Sequence, residues 1–140
     1  MHIKTYNFLP DDARKIREIV FMDEQGFQYE FDDVDGWATH FVLYDANGLP
    51  IATCRIFAGK EQGTFILGRL AVIKAYRGRN LGVRMLEEAE STIRQLGGKA
   101  ILLHAQCRAT AFYGKSGYTA FGEIDDEEGC PHVWMRKELA

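Results

Sequence analysis

Between Arg77 and Gly82 the chain reads Arg-Gly-Arg-Asn-Leu-Gly, with Arg84 close behind and no acidic residue between Phe65 and Leu86. The guanidinium groups supply fixed positive charge. Gly78 and Gly82 have no Cβ to keep an anion from the main chain. Leu81, Met85, Ala89, Ile93 and Leu96 then recur at helical spacing, so the turn opens a helix. The first amides of a helix lack internal partners and sit at the positive end of its dipole. Such a turn is suited to an anion, and a polyphosphate matches its charge. A glycine turn alone is weak evidence. No Gly-Lys-Ser/Thr follows, which excludes a P-loop, and the G-x-G-x-x-G order of a dinucleotide site is absent.

A second chemical stretch lies between Met22 and Gly36. Asp23, Glu24, Glu30, Asp32, Asp33 and Asp35 bring acid with no Lys or Arg among them, and Phe27, Tyr29 and Phe31 interleave. Two readings stand. The segment is a solvated loop or short helix, as charge runs generally are, or it is one wall of a pocket in which carboxylates attract a cationic amine. Further titratable residues lie downstream: His104, Tyr113, Glu128 and His132.

These residues must be held by elements the pattern outlines. His2–Asn7 alternates weakly and reads as an edge strand. A helix starts at Pro10-Asp11-Asp12, where either Asp can cap free amides, carries Ala13, Ile16, Ile19 and Val20 on its apolar face, and stops at Gly26. Thr39–Tyr44 and Ile51–Phe57 form a hairpin about Asn47-Gly48. The strand Thr64–Ile73 leads into the arginine turn, and the helix that follows ends at Gly97-Gly98. Ala100–His104 is then a strand parallel to the one before the helix, with a right-handed crossover. A short helix over Arg108–Lys115 precedes strands Tyr118–Phe121 and His132–Lys137, which the acidic turn Asp125–Gly129 separates.

The 140 residues suit a single domain spanning 1–140, and the net charge of −3 gives no sign of nucleic acid or a membrane surface as partner. No apolar run reaches membrane-spanning length and no signal-peptide pattern precedes the first strand. Cys54, Cys107 and Cys130 are odd in number and widely spaced, which favours reduced cytoplasmic thiols over a disulfide frame or a metal site.

Leu70-Ala71-Val72 followed by Arg77-Gly78-Arg79-Asn80-Leu81-Gly82 resembles the acyl-CoA signature of the GNAT N-acetyltransferase superfamily. Asn80 stands where that signature most often has glycine, and Asn tolerates positive φ. Phe112-Tyr113-Gly114-Lys115-Ser116-Gly117-Tyr118 resembles the family's second segment. Phe21-x-x-Glu24-Gln25, His104-Ala105-Gln106 and Pro131-His132 are similar to a small bacterial branch, the ElaA/YjcF-like acyltransferases.

The resemblance implies an α/β mixed-sheet GNAT acyl-CoA N-acyltransferase fold, an antiparallel meander followed by a βαβ unit with splayed central parallel strands. It implies acetyl-CoA as acyl donor, no metal, and direct transfer to a primary amine of a small cationic acceptor. Donor-binding residues are then Leu70, Ala71, Val72, Arg77, Gly78, Arg79, Asn80, Leu81, Gly82, Phe112 and Tyr113. Strand amides near Ala71-Val72 polarise the thioester carbonyl, and Tyr113 protonates the leaving thiolate. The base stays open among Glu24, which has the best electrostatic case, His104, His132, Glu128, or an ordered water. Cys54 or Cys107 as acyl-carrying nucleophile is a further, minor reading. A protein amine as acceptor, a non-catalytic acyl-CoA sensor and a nucleotide-binding regulatory domain are the rival functions. A C-terminal strand such as Val133–Arg136, placed at a sheet edge, would pair subunits into a homodimer.

Overall fold

The structure, a computed structural model, describes residues 1–139. A seven-stranded mixed sheet runs through it in the order β1-β2-β3-β4-β5-β7-β6. The strands are β1 (His2–Tyr6), β2 (Thr39–Tyr44), β3 (Pro50–Ala58), β4 (Thr64–Val72), β5 (Ala100–Gln106), β6 (Thr119–Glu127) and β7 (Cys130–Glu138). Three α-helices cover it: α1 (Asp11–Arg17), α2 (Leu81–Gln95) and the short α3 (Thr110–Lys115).

Period-two alternation sends β2 into two cores at once. Phe41 and Leu43 join Leu67, Met85, Ile93 and Ile101 beneath α2, while Val42 and Tyr44 meet Ala13, Ile16 and Val20 of α1 on the opposite face. α1 passes directly into a π-helical stretch, Glu18–Glu24. The wider turn shifts the buried stripe: Val20 and Phe21 point inward, and Ile19, expected in the core, is 48% exposed. Neither Asp caps α1. Pro10 holds the N-cap position, and Asp12 instead accepts a hydrogen bond from Tyr44 Oη at 2.7 Å. Leu96, the last residue of the predicted α2 stripe, lies beyond the helix and is exposed.

The strand that opens the site is β4. It pairs antiparallel with β3, but Arg69 and Leu70 together occupy the space opposite Cys54, and Arg69 takes a left-handed φ of 53°. Such a bulge bends its strand. On its other side β4 runs parallel to β5 for only three residue pairs, Thr64–Ala100 to Ile66–Leu102, after which the strands part. The splayed central pair is therefore present, with the bulge at its opening.

The C-terminal strand departs from expectation. β7 lies between β5 and β6, paired on both sides, so Val133–Arg136 is not an edge; β1 and β6 are. β6 is also longer than predicted. Asp125, Asp126 and Glu127 belong to the strand, and only Glu128-Gly129 makes the turn.

Candidate active site

Two cavities meet at the parting of β4 and β5. On one side is a groove of about 640 Å³ between the ends of those strands, the α2 N-terminus and α3. On the other is a cavity of about 420 Å³ between the 21–34 segment and the β5–β7–β6 arm. Gln25, Leu70, Gln106, Ala109 and Tyr113 line both. Gln106 Nε2 donates to Gln25 Oε1 at 2.8 Å across this threshold, and Arg108 Nε donates to Gln106 Oε1 at 2.7 Å.

The groove collects the predicted donor residues Leu70, Ala71, Val72, Arg77, Gly78, Asn80, Leu81, Gly82, Phe112 and Tyr113. Arg79 alone does not line it; its guanidinium lies over the ring of Tyr76, which does, at 5.0 Å. Asn80 adopts the left-handed conformation, with φ 65°, which an asparagine accepts more readily than most residues. The two glycines differ in role. A Cβ on Gly78, at φ 81°, would meet nothing within 4 Å, so its main chain is open to a ligand. A Cβ on Gly82 would lie 2.9 Å from Phe112 Cζ: that glycine admits the Phe112 ring rather than an anion. The first-turn amides of α2 have no side-chain cap and face this groove. In the sequence Gln25 and Gln106 stand out only through the resemblance, which gives them no role, and Tyr76 and Arg108, polar residues outside the glycine motif, have none assigned; all four line the groove.

Tyr113 packs edge-on against Phe112 and Tyr118. Burial pushes its phenol well above the usual range, so the hydroxyl remains a proton donor at neutral pH. Cys54 shares that environment, fully buried, with its thiol likewise pushed up by burial, which removes it as a nucleophile.

Glu24 stands apart from the smaller cavity. Its carboxylate takes both terminal nitrogens of Arg77, at 2.6 and 2.8 Å, and those bonds hold it below its ordinary value. It is a partner of the anion turn, and it does not line the smaller cavity. Glu128 is also committed: its carboxylate accepts the backbone amides of Gln28 and Tyr29, tying the β6–β7 turn to the 21–34 segment.

The acidic segment divides: Asp23 and Asp33 are exposed to solvent, whereas Glu30, Asp32 and Asp35 are met by arginines. Arg17, 1% exposed, donates to Glu30 at 2.8 Å and to Asp35 at 2.7 and 3.0 Å. Arg55 donates to Asp32 and Asp35, and Arg69 pairs with Glu30 and Asp32. Three guanidinium groups from α1, β3 and β4 thus match three carboxylates. Burial alone would raise the Asp35 carboxyl, but the Arg17 and Arg55 bonds hold it down at about 2; for Glu30, burial outweighs its arginines and the shift is upward.

The unmatched acid lies on the other wall. His104 Nε2 is 2.7 Å from Asp125 and its Nδ1 is 3.3 Å from Glu127; His132 Nε2 is 3.7 Å from the same Glu127. The two imidazoles lie 4.8 Å apart, and Trp134 stacks on His104. Asp125 and Glu127 alternate along β6, which is the signal a longer predicted strand would have revealed. Among the described residues no group of His, Cys, Asp and Glu could hold a metal ion, and no helix is long and apolar enough to cross a membrane.

The family described as an acetyltransferase (GNAT) domain matches residues 14–139. YjcF of Bacillus subtilis, described as an uncharacterized N-acetyltransferase, is 31% identical over 130 residues, covering 91% of each chain. Escherichia coli ElaA is 28% identical over 89% of this chain and 84% of its own length. A solved Lactobacillus plantarum structure, provisionally described as an N-acetyltransferase, superimposes with a TM-score of 0.89 at 31% identity over the whole of both chains. At the level of fold alone, an aminoglycoside 6′-N-acetyltransferase complexed with coenzyme A aligns with a TM-score of 0.79 at 14% identity, over 100% of this chain and 98% of its own.

Proposed function

The chain belongs to the GNAT acetyltransferase family and is an acyltransferase of that fold; from this premise we propose that it moves an acetyl group from acetyl-CoA to a primary amine on a small cationic molecule, directly and without an acyl-enzyme. One observation carries the reading: the β4–β5 gap joins an anion-suited groove to a separate, acid-rimmed cavity, and Tyr113 lines both. The relative complexed with coenzyme A supports the donor.

Gly78, Asn80 and the first amides of α2 hold the donor's diphosphate, with Arg77 alongside. Because β4 leaves β5 after Ile66, its main chain toward Val72 has no β5 partner on that side and is available to the donor's amide and thioester oxygens. Glu127 and its neighbours on β6 attract the acceptor's ammonium, since the arginines opposite are already neutralised. Tyr113 donates its proton to the departing thiolate. Cys107 and Cys130 line a side cavity and play no part in transfer.

Release of free thiol from acetyl-CoA against a panel of diamines, amino sugars, aminoglycosides, amino acids and lysine peptides tests the reading. A small cationic amine supports turnover, and Tyr113→Phe lowers kcat by roughly 10²-fold while leaving donor KM near the wild-type value. Preference for the peptides would move the assignment to a protein substrate, and saturable donor binding without thiol release on any amine would make the chain a sensor.

A further inference from the structure

We propose that His132, through Nε2, is the general base that deprotonates the acceptor amine, and that His104 is not. The inference rests on the transferase reading and assigns the base that the reading requires. A primary amine arrives largely as an ammonium at neutral pH, because its intrinsic pKa is near that of a lysine. It must lose a proton before it can attack a thioester.

Both imidazoles line the acceptor cavity, but their hydrogen bonds differ. His132 Nδ1 lies 2.8 Å from the carbonyl oxygen of Cys130. A carbonyl only accepts, so Nδ1 carries the hydrogen and the neutral ring has its lone pair on Nε2. Nothing takes up that lone pair. Glu127 is 3.7 Å from Nε2, too far for a hydrogen bond yet near enough to stabilise an imidazolium once it forms. The ring is held in place by burial, its side chain 6% exposed, and by Phe27 edge-on at 6.4 Å.

His104 offers no such open lone pair. Both of its ring nitrogens face carboxylates, Asp125 at 2.7 Å and Glu127 at 3.3 Å. In the neutral ring Nε2 carries the hydrogen donated to Asp125, and the Nδ1 lone pair has the Glu127 carboxylate 3.3 Å away, where an acceptor nitrogen would have to stand. In the sheet His132 is directly opposite Gln106, which lines the donor groove as well. The base therefore sits beside the threshold between the two cavities.

The proton balance closes. The acceptor nitrogen enters with three hydrogens and ends as an amide with one. His132 Nε2 takes the first proton and returns it to solvent. The N–C bond forms as the C–S bond breaks; Tyr113 gives its proton to the sulfur and recovers one from the acceptor nitrogen. No oxidant or further reactant is needed.

Two measurements test the assignment. The first needs no turnover: NMR of ¹⁵N-labelled imidazoles in the wild-type protein should find His132 in the Nδ1–H tautomer, and an Nε2–H tautomer would overturn the proposal. The second is a pH profile of acceptor kcat/KM. His132→Asn, with His132→Gln as the alternative should Asn fail to fold, should lower kcat/KM by about 10²-fold or more and abolish the acidic limb, with donor KM little changed. His104→Asn should keep that limb. The groups facing His132 are Glu127 and Asp125 from β6, Glu128 from the turn and His104 from β5, with Glu30, Asp32, Arg55 and Arg69 across the cavity, so Glu127→Gln should shift the limb without removing it. A limb retained in both His132 variants, or lost in His104→Asn, refutes the proposal. A wild-type protein that acetylates no amine refutes the transferase reading instead, and the tautomer result stands apart from that failure.

Discussion

Two acid-rich stretches, Glu30–Asp35 and Asp125–Glu128, look alike as sequence and behave in opposite ways in the fold. Glu30 and Asp35 are buried and met by Arg17, Arg55 and Arg69, which come from three different elements. Asp125 and Glu127 remain about half exposed, and their nearest titratable partners are imidazoles. The first stretch is a clamp that fastens a cavity wall to the sheet. The second is a charged rim that faces whatever enters. A run of carboxylates thus reveals its role only through the cations that topology brings to it.

The largest expected effect tests the clamp. Asp35→Ala leaves two buried guanidinium groups short of a partner and should cost about 3–5 kcal/mol in a denaturant titration. The corresponding change at the rim, Glu127→Gln, should stay within about 0.5 kcal/mol. Equal losses at the two sites would erase the distinction. The clamp also has a pH signature. The folded Asp35 carboxyl titrates at about 2 against 3.8 for a free one, so between those values the folded state binds fewer protons. The stability gap between wild type and Asp35→Asn should be full above about pH 4 and close as pH falls through 2. Glu30, shifted upward, acts with opposite sign, and its contribution falls above its ordinary value, outside the window between 2 and 3.8.

Function should respond in reverse. Glu127→Gln should lower acceptor kcat/KM about tenfold through lost steering and lost support of the base, while Asp32→Asn, on the neutralised wall, should change it less. The smallest effect concerns Glu24, which neutralises Arg77 at the groove edge. Glu24→Gln frees that guanidinium and should tighten acetyl-CoA binding by a few-fold, fading as salt is raised. Weaker binding would mean that Glu24 holds Arg77 in its working position.

The groove proposed for the donor was legible because its determinants are local. The Leu70-Ala71-Val72 strand end, the Arg77–Gly82 turn and Phe112-Tyr113 each occupy one short stretch, and the hairpin at Asn47-Gly48 formed as its turn residues dictate. The cavity proposed for the acceptor was not, because its walls are long-range. Arg17 meets Asp35 only after β2 and the loop before it have closed against α1, and His132 meets Glu127 only through the register of β6 on β7. The π-helical stretch after α1 hid in the same way: its side chains fit an ordinary helix, and packing chose the wider turn. Gly82 shows that a glycine in a motif can answer to packing, since the Phe112 ring occupies the space its missing Cβ would take.

Acetyl transfer from a coenzyme A thioester requires that the parting of β4 from β5 and the amides at the head of α2 form the donor site. Amide chemical-shift mapping during a coenzyme A titration tests it most directly. Saturable shifts are expected at Leu70–Val72, Gly78–Gly82 and Tyr113, with Asp125–Glu128 nearly still until an amine is added. Shifts confined to another surface, or none at millimolar coenzyme A, would contradict it.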